Sequence, residues 1–484
     1  MRYLPALTSA LLASTASAEP VSVTEPTAPI EGPATTKVVV SPPDAPAPRP
    51  DEASGVVVDD DASTSETARV LPRALLFFPR LLVTVAVQPI RGAAYVYERY
   101  DLLERFTDAT FTDDRKFGVY PVGGYESGFG FKIGARILWK DIFGDSERLK
   151  LRADYGGEFR YALGAHLGTG KRFGPIRFEA DSSIERRPHE HFYGIGNGEE
   201  LESPPVSPID PSVDDTAVSS RFQEDAVRNV ATLDIAFTDE LHSRTSGAVM
   251  LREFEAPPEM DDRNIEMNFD TTKLVGFQDG VRNMYAEEEL VYDSRRPATP
   301  YATQTLDGAG WLARGHFGMT RGIDKDPSHY YSYGGELQSF FDLYNGTRIL
   351  SLRAMVDAIG GTDGRTDGKI SFIDLPRLGG SEFLRGYPTG RFRDRAVVLG
   401  TAEYSWALMN NAAAYTFVDV GQAIATYEDI PSTKVRVGYG FGIQVHTRNT
   451  FLMRAQLAFS REGDFAFNLV FSPAFGRRER AGRF

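Results

Sequence analysis

Cysteine is absent from this chain. That excludes a disulfide scaffold. Long apolar runs are missing too. Leu75-Leu76-Phe77-Phe78 and Leu81-Leu82-Val83 are broken up by Pro79, Arg80, Pro89 and Arg91, so no helix of membrane-spanning length exists there. Positive charge is in deficit, with 53 Lys and Arg against 67 Asp and Glu, a net charge of −14. This speaks against nucleic acid as a partner. Catalytic signatures are lacking: there is no G-x-S-x-G. His189-Glu190-His191 has no further ligand cluster around it and reads as a solvated pair of histidines beside an exposed loop, not a metal site. The acidic run Asp59-Asp60-Asp61 reads as solvated linker. No enzyme activity, metal or cofactor is expected.

The chain opens with an export signal. Arg2 is followed by an apolar run from Leu4 to Ala13 and by Ala16-Ser17-Ala18, an A-x-A cleavage site. Residues 1–18 are therefore read as a signal peptide, with Glu19 the first residue of the mature protein. Residues 19–69 are rich in Pro, Ala, Val, Thr and Asp and contain no aromatic residue, which predicts a disordered periplasmic linker. Over 70–116, short amphipathic helices are expected near the periplasmic mouth or membrane interface, with Val96, Tyr100, Leu103 and Phe106 on one face.

From Phe117 the apolar period becomes two. Phe131, Ile133, Ala135 and Ile137 alternate with Lys132, Gly134 and Arg136. Val435, Val437, Tyr439, Phe441, Ile443 and Val445 alternate with Arg436, Gly438, Gly440, Gly442, Gln444 and His446. Such alternation marks strands with one apolar and one polar face. Many runs approach the ~9–11 residues that a tilted strand needs to cross a bilayer. The mean hydropathy of −0.29 is compatible with a membrane barrel, because lipid-facing and lumen-facing residues average out. Strands are predicted near 117–125, 128–140, 147–155, 157–169, 173–187, 223–238, 241–254, 282–293, 305–320, 328–342 and 346–359, and then near 396–408, 411–422, 433–446, 450–460 and 464–472. The sum is sixteen, an even number as single-chain bacterial barrels require, with fourteen the neighbouring alternative. Longer polar loops at 194–222 and 256–281 alternate with short turns, as extracellular loops alternate with periplasmic turns. The fold class is an all-β transmembrane antiparallel β-barrel over residues 117–475, with a tail at 476–484.

Between the two groups of strands lies Leu378-Gly379-Gly380-Ser381-Glu382-Phe383-Leu384-Arg385-Gly386-Tyr387-Pro388-Thr389-Gly390-Arg391-Phe392-Arg393-Asp394. Its glycines and proline punctuate a loop, and its aromatics need somewhere to pack. Downstream, Phe417, Asp419 and Gly421 share one strand face, with Val418 and Val420 on the other. Asp419 cannot cheaply face lipid and must point into the lumen towards a partner. Glu403 sits in the same way between Ala402 and Tyr404. The fork of Arg385 can bond a carboxylate bidentately. A lumen anchor of Arg385 to Asp419, with Glu403 as second acceptor, is expected; the alternative is that the three line a wet channel with separate partners.

Leu384-Arg385-Gly386-Tyr387, Phe417-x-Asp419-x-Gly421, Asp293-Ser294-Arg295 and the His191-Phe192-Tyr193-Gly194-Ile195-Gly196-Asn197 turn together resemble the BamA/TamA/surface-antigen superfamily of outer-membrane barrels. That superfamily includes the two-partner-secretion transporters. The resemblance implies a loop folded into the lumen, its arginine paired with a carboxylate, and eleven strands before the loop and five after. It implies insertion or transport of protein or lipid at the Gram-negative outer membrane through a weak lateral seam. Its implied partners are outer-membrane lipids, the barrel-assembly machinery during biogenesis, and a protein or lipid client. A passive or gated solute pore and a structural surface antigen are the rival functions. Residues 19–113 show no βααββ alternation of the POTRA kind, so a short form without these modules is expected. Phe475 fits the terminal aromatic of such barrels, with Phe484 the other candidate signal.

Residues 19–69 hold no core-forming side chains and should be dispensable for barrel folding. Deleting them should leave heat-modifiable migration on gels unchanged; loss of the folded band would assign them a part in the barrel.

Overall fold

A computed structural model describes residue 105 and residues 108–211, 216–258, 263–296, 309–323, 329–344, 346–361, 370–409, 412–446 and 451–470. The expected signal peptide, the linker 19–69, residues 70–104, Phe475, Phe484 and the tail lie outside the described residues. In the expected helical stretch, residue 105 and residues 108–110 are helical.

Sixteen antiparallel strands close a barrel in chain order. The first eleven are β1 (Phe117–Glu126), β2 (Gly130–Lys140), β3 (Arg148–Gly156), β4 (Phe159–Gly168), β5 (Ile176–Phe192), β6 (Ser220–Ala236), β7 (Leu241–Glu255), β8 (Val281–Asp293), β9 (Gly310–Gly322), β10 (His329–Asp342) and β11 (Arg348–Gly361). After a long loop come β12 (Ala396–Met409), β13 (Ala412–Ile424), β14 (Arg436–His446), β15 (Phe451–Ser460) and β16 (Phe465–Val470). Among the described residues, β1 meets β16 through Tyr125↔Leu469 and Glu126↔Asn468. Connections leaving odd-numbered strands share one end of the barrel and include 193–219, 256–280, 362–395 and 425–435. Most connections at the other end are short, such as 237–240 and 343–347. Most of the long loops lie on one side, which places that side outside the cell.

The alternation in sequence becomes an inverted partition in space. Phe131 and Ile133 on β2 are 77% and 66% exposed, and Met284, Leu290 and Phe441 also point outward. In water such a surface would cost free energy; against acyl chains it is the stable arrangement. The inner face is polar and paired. Arg152 and Arg187 converge on Glu185, Arg244 bonds Asp234, and Arg353 forms an ion pair with Glu336 at 2.7 Å. Glu287 and Glu289 on β8 are buried in the same lumen.

One expectation is corrected. His189 and His191 do not sit beside an exposed loop. A register shift between Arg187 and Glu190 carries β5 past Pro188 to Phe192. His191 is therefore buried, its Nδ1 3.1 Å from the Tyr193 hydroxyl and its ring edge-on to Phe129.

Phe441 lies at the middle of β14 on the lipid face. Phe441→Arg should destabilise the barrel by about 2–4 kcal/mol, measured as a shift of the urea midpoint in bilayers. Gly440→Arg on the lumen face is no milder control, because even a Cβ there would lie 2.2 Å from the Leu457 carbonyl oxygen and 2.7 Å from the Phe417 ring.

Candidate functional site

The 362–395 connection turns inward. Its described part begins on the β7–β11 side, where Ile370 and Leu375 pack with Tyr330 and Ile359. Asp374 is fixed there by Arg252 at 2.8 Å, by Asn283 at 3.1 Å and by the Tyr330 hydroxyl. Arg377–Leu378 then pairs antiparallel with Phe392–Arg393, closing residues 379–391 into a lobe. Inside the lobe, the Gly379 amide bonds the Phe383 carbonyl and the Gly380 amide bonds the Tyr387 carbonyl. Leu384 takes φ of 62° although it carries a side chain, a conformation that costs about 1–3 kcal/mol. Its side chain is fully buried with Leu378, Tyr387, Phe392, Val397 and Leu399. That packing offsets the strain and turns the next residue towards the wall.

Arg385 reaches Asp419 with three donors. Its amide and Nε bond Oδ2 at 2.9 and 2.8 Å, and Nη2 bonds Oδ1 at 2.9 Å. Nη1 bonds Glu403 Oε2 at 2.8 Å, and the other Glu403 oxygen accepts from Arg454 Nη2 at 2.6 Å. Charges therefore alternate from Asp419 through Arg385 and Glu403 to Arg454, and all four residues are buried. The Arg385 guanidinium stacks on the Phe417 ring at 3.5 Å, and that of Arg454 on Tyr415 at 3.8 Å. A planar cation with its edges on carboxylates and its face on an aromatic ring is well satisfied out of water.

β14 makes the room. Its lumen face carries Gly438, Gly440 and Gly442 in a row, and a Cβ on Gly438 would lie 1.7 Å from the Arg385 carbonyl oxygen. Gly386, with φ of 100°, lies against the Phe459 carbonyl on β15, and Gly421 leaves space for Leu378 and Leu384. Tyr387 packs edge-on to Phe392 and donates its hydroxyl to Glu462, in the turn between β15 and β16. Burial pushes the Glu462 carboxyl up, but Tyr387 and Arg436 outweigh it and hold the group below its ordinary range.

Arg385, Gly386, Tyr387, Glu403, Phe417, Asp419 and Gly421 thus meet at one place in the lumen. Sequence reasoning missed Arg454, the glycine row as a seat, and Asp374 with its three partners. Period two placed Gly438 on the lumen face, but Glu403 and Arg454 meet across two intervening strands, which no local spacing shows. The Phe192–Asn197 turn also gains a position. Gly196 exchanges backbone hydrogen bonds with Arg393, and Asn197 bonds the Lys434 carbonyl and the Ala423 amide. Arg295 closes on Asp293 of its own segment at 2.8 Å.

A closed sixteen-strand barrel, apolar outside and crossed by an arginine-bearing loop, defines an integral protein of the bacterial outer membrane. The family model described as the Omp85 superfamily domain matches residues 264–475. The solved structure of BamA from Haemophilus ducreyi lacking POTRA domains 1–3 superposes with a TM-score of 0.50 at 14% identity, covering 73% of this chain and 69% of that one. CdiB from Acinetobacter baumannii gives 0.42 at 13% identity, with 73% and 58% covered, and CdiB from Escherichia coli 0.43 at 11%, with 72% and 62% covered. No curated protein matches the chain by sequence.

Removing either Arg385 or Asp419 leaves the other charge stranded, at a cost of about 3–5 kcal/mol. Arg385→Ala and Asp419→Ala should each expose 378–394 to protease, and the double mutant should be little worse than either single mutant. Arg385→Lys should rescue only in part, because an ammonium cannot reproduce the fork. Strictly additive effects in this cycle would show that the two side chains do not act together.

Proposed function

We propose that this barrel inserts or moves a protein or lipid client at the outer membrane, and that Arg385 anchors the lumen loop while it does so. The observation that carries this reading is the placement of residues 378–394, which fill lumen space and are bonded through Arg385 to β12, β13 and, by way of Glu403, to β15. A passive solute pore would gain nothing from a loop across its own path. The long-loop end adds weight. Phe192, Phe222, Phe254, Ile265, Phe269, Phe277 and Phe372 from the walls and two loops form one apolar cluster over β5–β8. Beneath it is a cavity of about 430 Å³ lined by charged side chains of both signs, with Ser381–Phe383 on its loop side. With the loop in the lumen, a client would meet the barrel at its wall and periplasmic end.

Two measurements test this. In planar bilayers the purified barrel should show no steady large conductance; a stable open channel of the native protein would favour the pore. In living cells, a photo-crosslinker placed on β1 should trap a protein or lipid, and the yield should fall in Arg385→Ala cells at equal barrel levels. Absence of any adduct from the native loop and β1 would overturn the client reading.

A further inference from the structure

The seam that closes the barrel has its own fastening, supplied by the loop. On one side of the seam is β1, ending at Glu126; on the other is β16, preceded by the turn that carries Glu462. The described ladder between them consists of Tyr125↔Leu469 and Glu126↔Asn468, and the side chain of Asn468 also accepts from the Ser127 amide at 3.3 Å. The lobe of the lumen loop reaches both sides at once. Tyr387 donates its hydroxyl to Glu462 and lies 3.3 Å from the Val437 carbonyl, on the β14–β16 side. Thr389, two residues on, donates its hydroxyl to Glu126 Oε1 at 2.8 Å, on the β1 side.

We propose that Tyr387 and Thr389 form a clasp across the β1–β16 seam, in which two hydroxyls of one rigid tripeptide hold a carboxylate on either side. Rigidity comes from the residue between them. Pro388 has a fixed φ and restricts the residue before it, so the backbone between the two hydroxyl-bearing residues has little freedom. Its carbonyl oxygen lies only 2.0 Å from where a Cβ of Gly379 would stand, and a Cβ of Gly380 would meet Thr389 Oγ1 at 2.8 Å. The double-glycine turn thus backs the tripeptide from behind. Four residues before Thr389, Arg385 is held by Asp419 and Glu403. The lobe is therefore fixed to β12 and β13 while its far edge grips β1. Drawing β1 away from β16 must break the Thr389 bond, the Tyr387 bond or the hold of Arg385. Conversely, withdrawing the lobe frees both sides of the seam together. Tyr387 and Thr389 are positioning residues: neither touches a client, and they act through the strands they hold. The clasp rests on the proposed function only in that an opening seam would serve client passage.

The absence of native cysteine makes the test direct. Tyr125→Cys and Leu469→Cys place one thiol on each side of the seam at paired positions. Modification of this pair by a maleimide in native outer membranes reports the opened fraction. Thr389→Val and Tyr387→Phe, each losing one net hydrogen bond, should raise modification about fivefold, and the two together more. Thr389→Ser keeps the hydroxyl and should label as the native loop does. A second pair, Phe317→Cys with Tyr333→Cys on β9 and β10, lies far from the seam in strand order and should label equally in all backgrounds. Only heat-modifiable, folded protein is scored, and Glu126→Ala supplies an independent break should Thr389→Val not fold. Unchanged seam labelling in the singles and the double, or an equal rise at the control pair, overturns the clasp. Raised seam labelling with unchanged photo-crosslinking of clients supports the clasp and overturns the proposed function instead.

Discussion

The ion pair between Arg385 and Asp419 sets the terms for everything around it. A guanidinium and a carboxylate taken from water must each find full compensation, or the barrel is less stable than it would be without them. The surrounding sequence supplies that compensation. Leu384 accepts a left-handed backbone, Phe417 offers a ring face, Gly438 gives up its side chain to let the loop backbone approach, and Glu403 and Arg454 extend the alternation of charge. Each is cheap only because the others are present. The site is therefore a cooperative unit, consistent with the general behaviour of buried polar networks, which either satisfy every member or are liabilities.

The wider architecture follows from solvent. With hydrocarbon outside, the barrel cannot use an apolar core to hold itself together, so its cohesion moves into the backbone ladders and the polar lumen. This explains why arginines such as Arg187, Arg252 and Arg353 are buried here with carboxylates, where a water-soluble protein would leave them at its surface. It also explains where apolar clusters do occur. The two largest form where loops fold over the long-loop end and where Leu378, Leu384 and Phe392 meet the wall, the places at which chain leaves the membrane-spanning ladder.

Much of this was legible in the sequence, because strands that separate lipid from lumen must alternate. The period of two over residues 128–140 and 433–446 predicted strand, face and class at once, and the split of eleven strands before the loop and five after stands in the structure. Asp419 was readable because a carboxylate among valines has one affordable direction. What stayed hidden depends on distance across the sheet. Nothing local says that Arg454 on β15 reaches Glu403 on β12, or that Asp374 finds Arg252, Asn283 and Tyr330 on three different strands. The burial of His191 was misread because the strand was expected to end at 187, whereas a register shift carries it on past Pro188.

The loop is held at two points of opposite sign. Asp374, an anion, is gripped by donors on β7, β8 and β10, and Arg385, a cation eleven positions later, by acceptors on β12 and β13. In mechanical language this is a tie bar inside a hoop. A free cylinder of strands can flatten under lateral membrane tension, one diameter growing as the other shrinks. A barrel tied between these two arcs resists flattening along the tied chord and yields more readily elsewhere. Local changes in bilayer thickness or tension would then be translated into a preferred direction of deformation, set by two ion pairs and the short stretch of backbone between them.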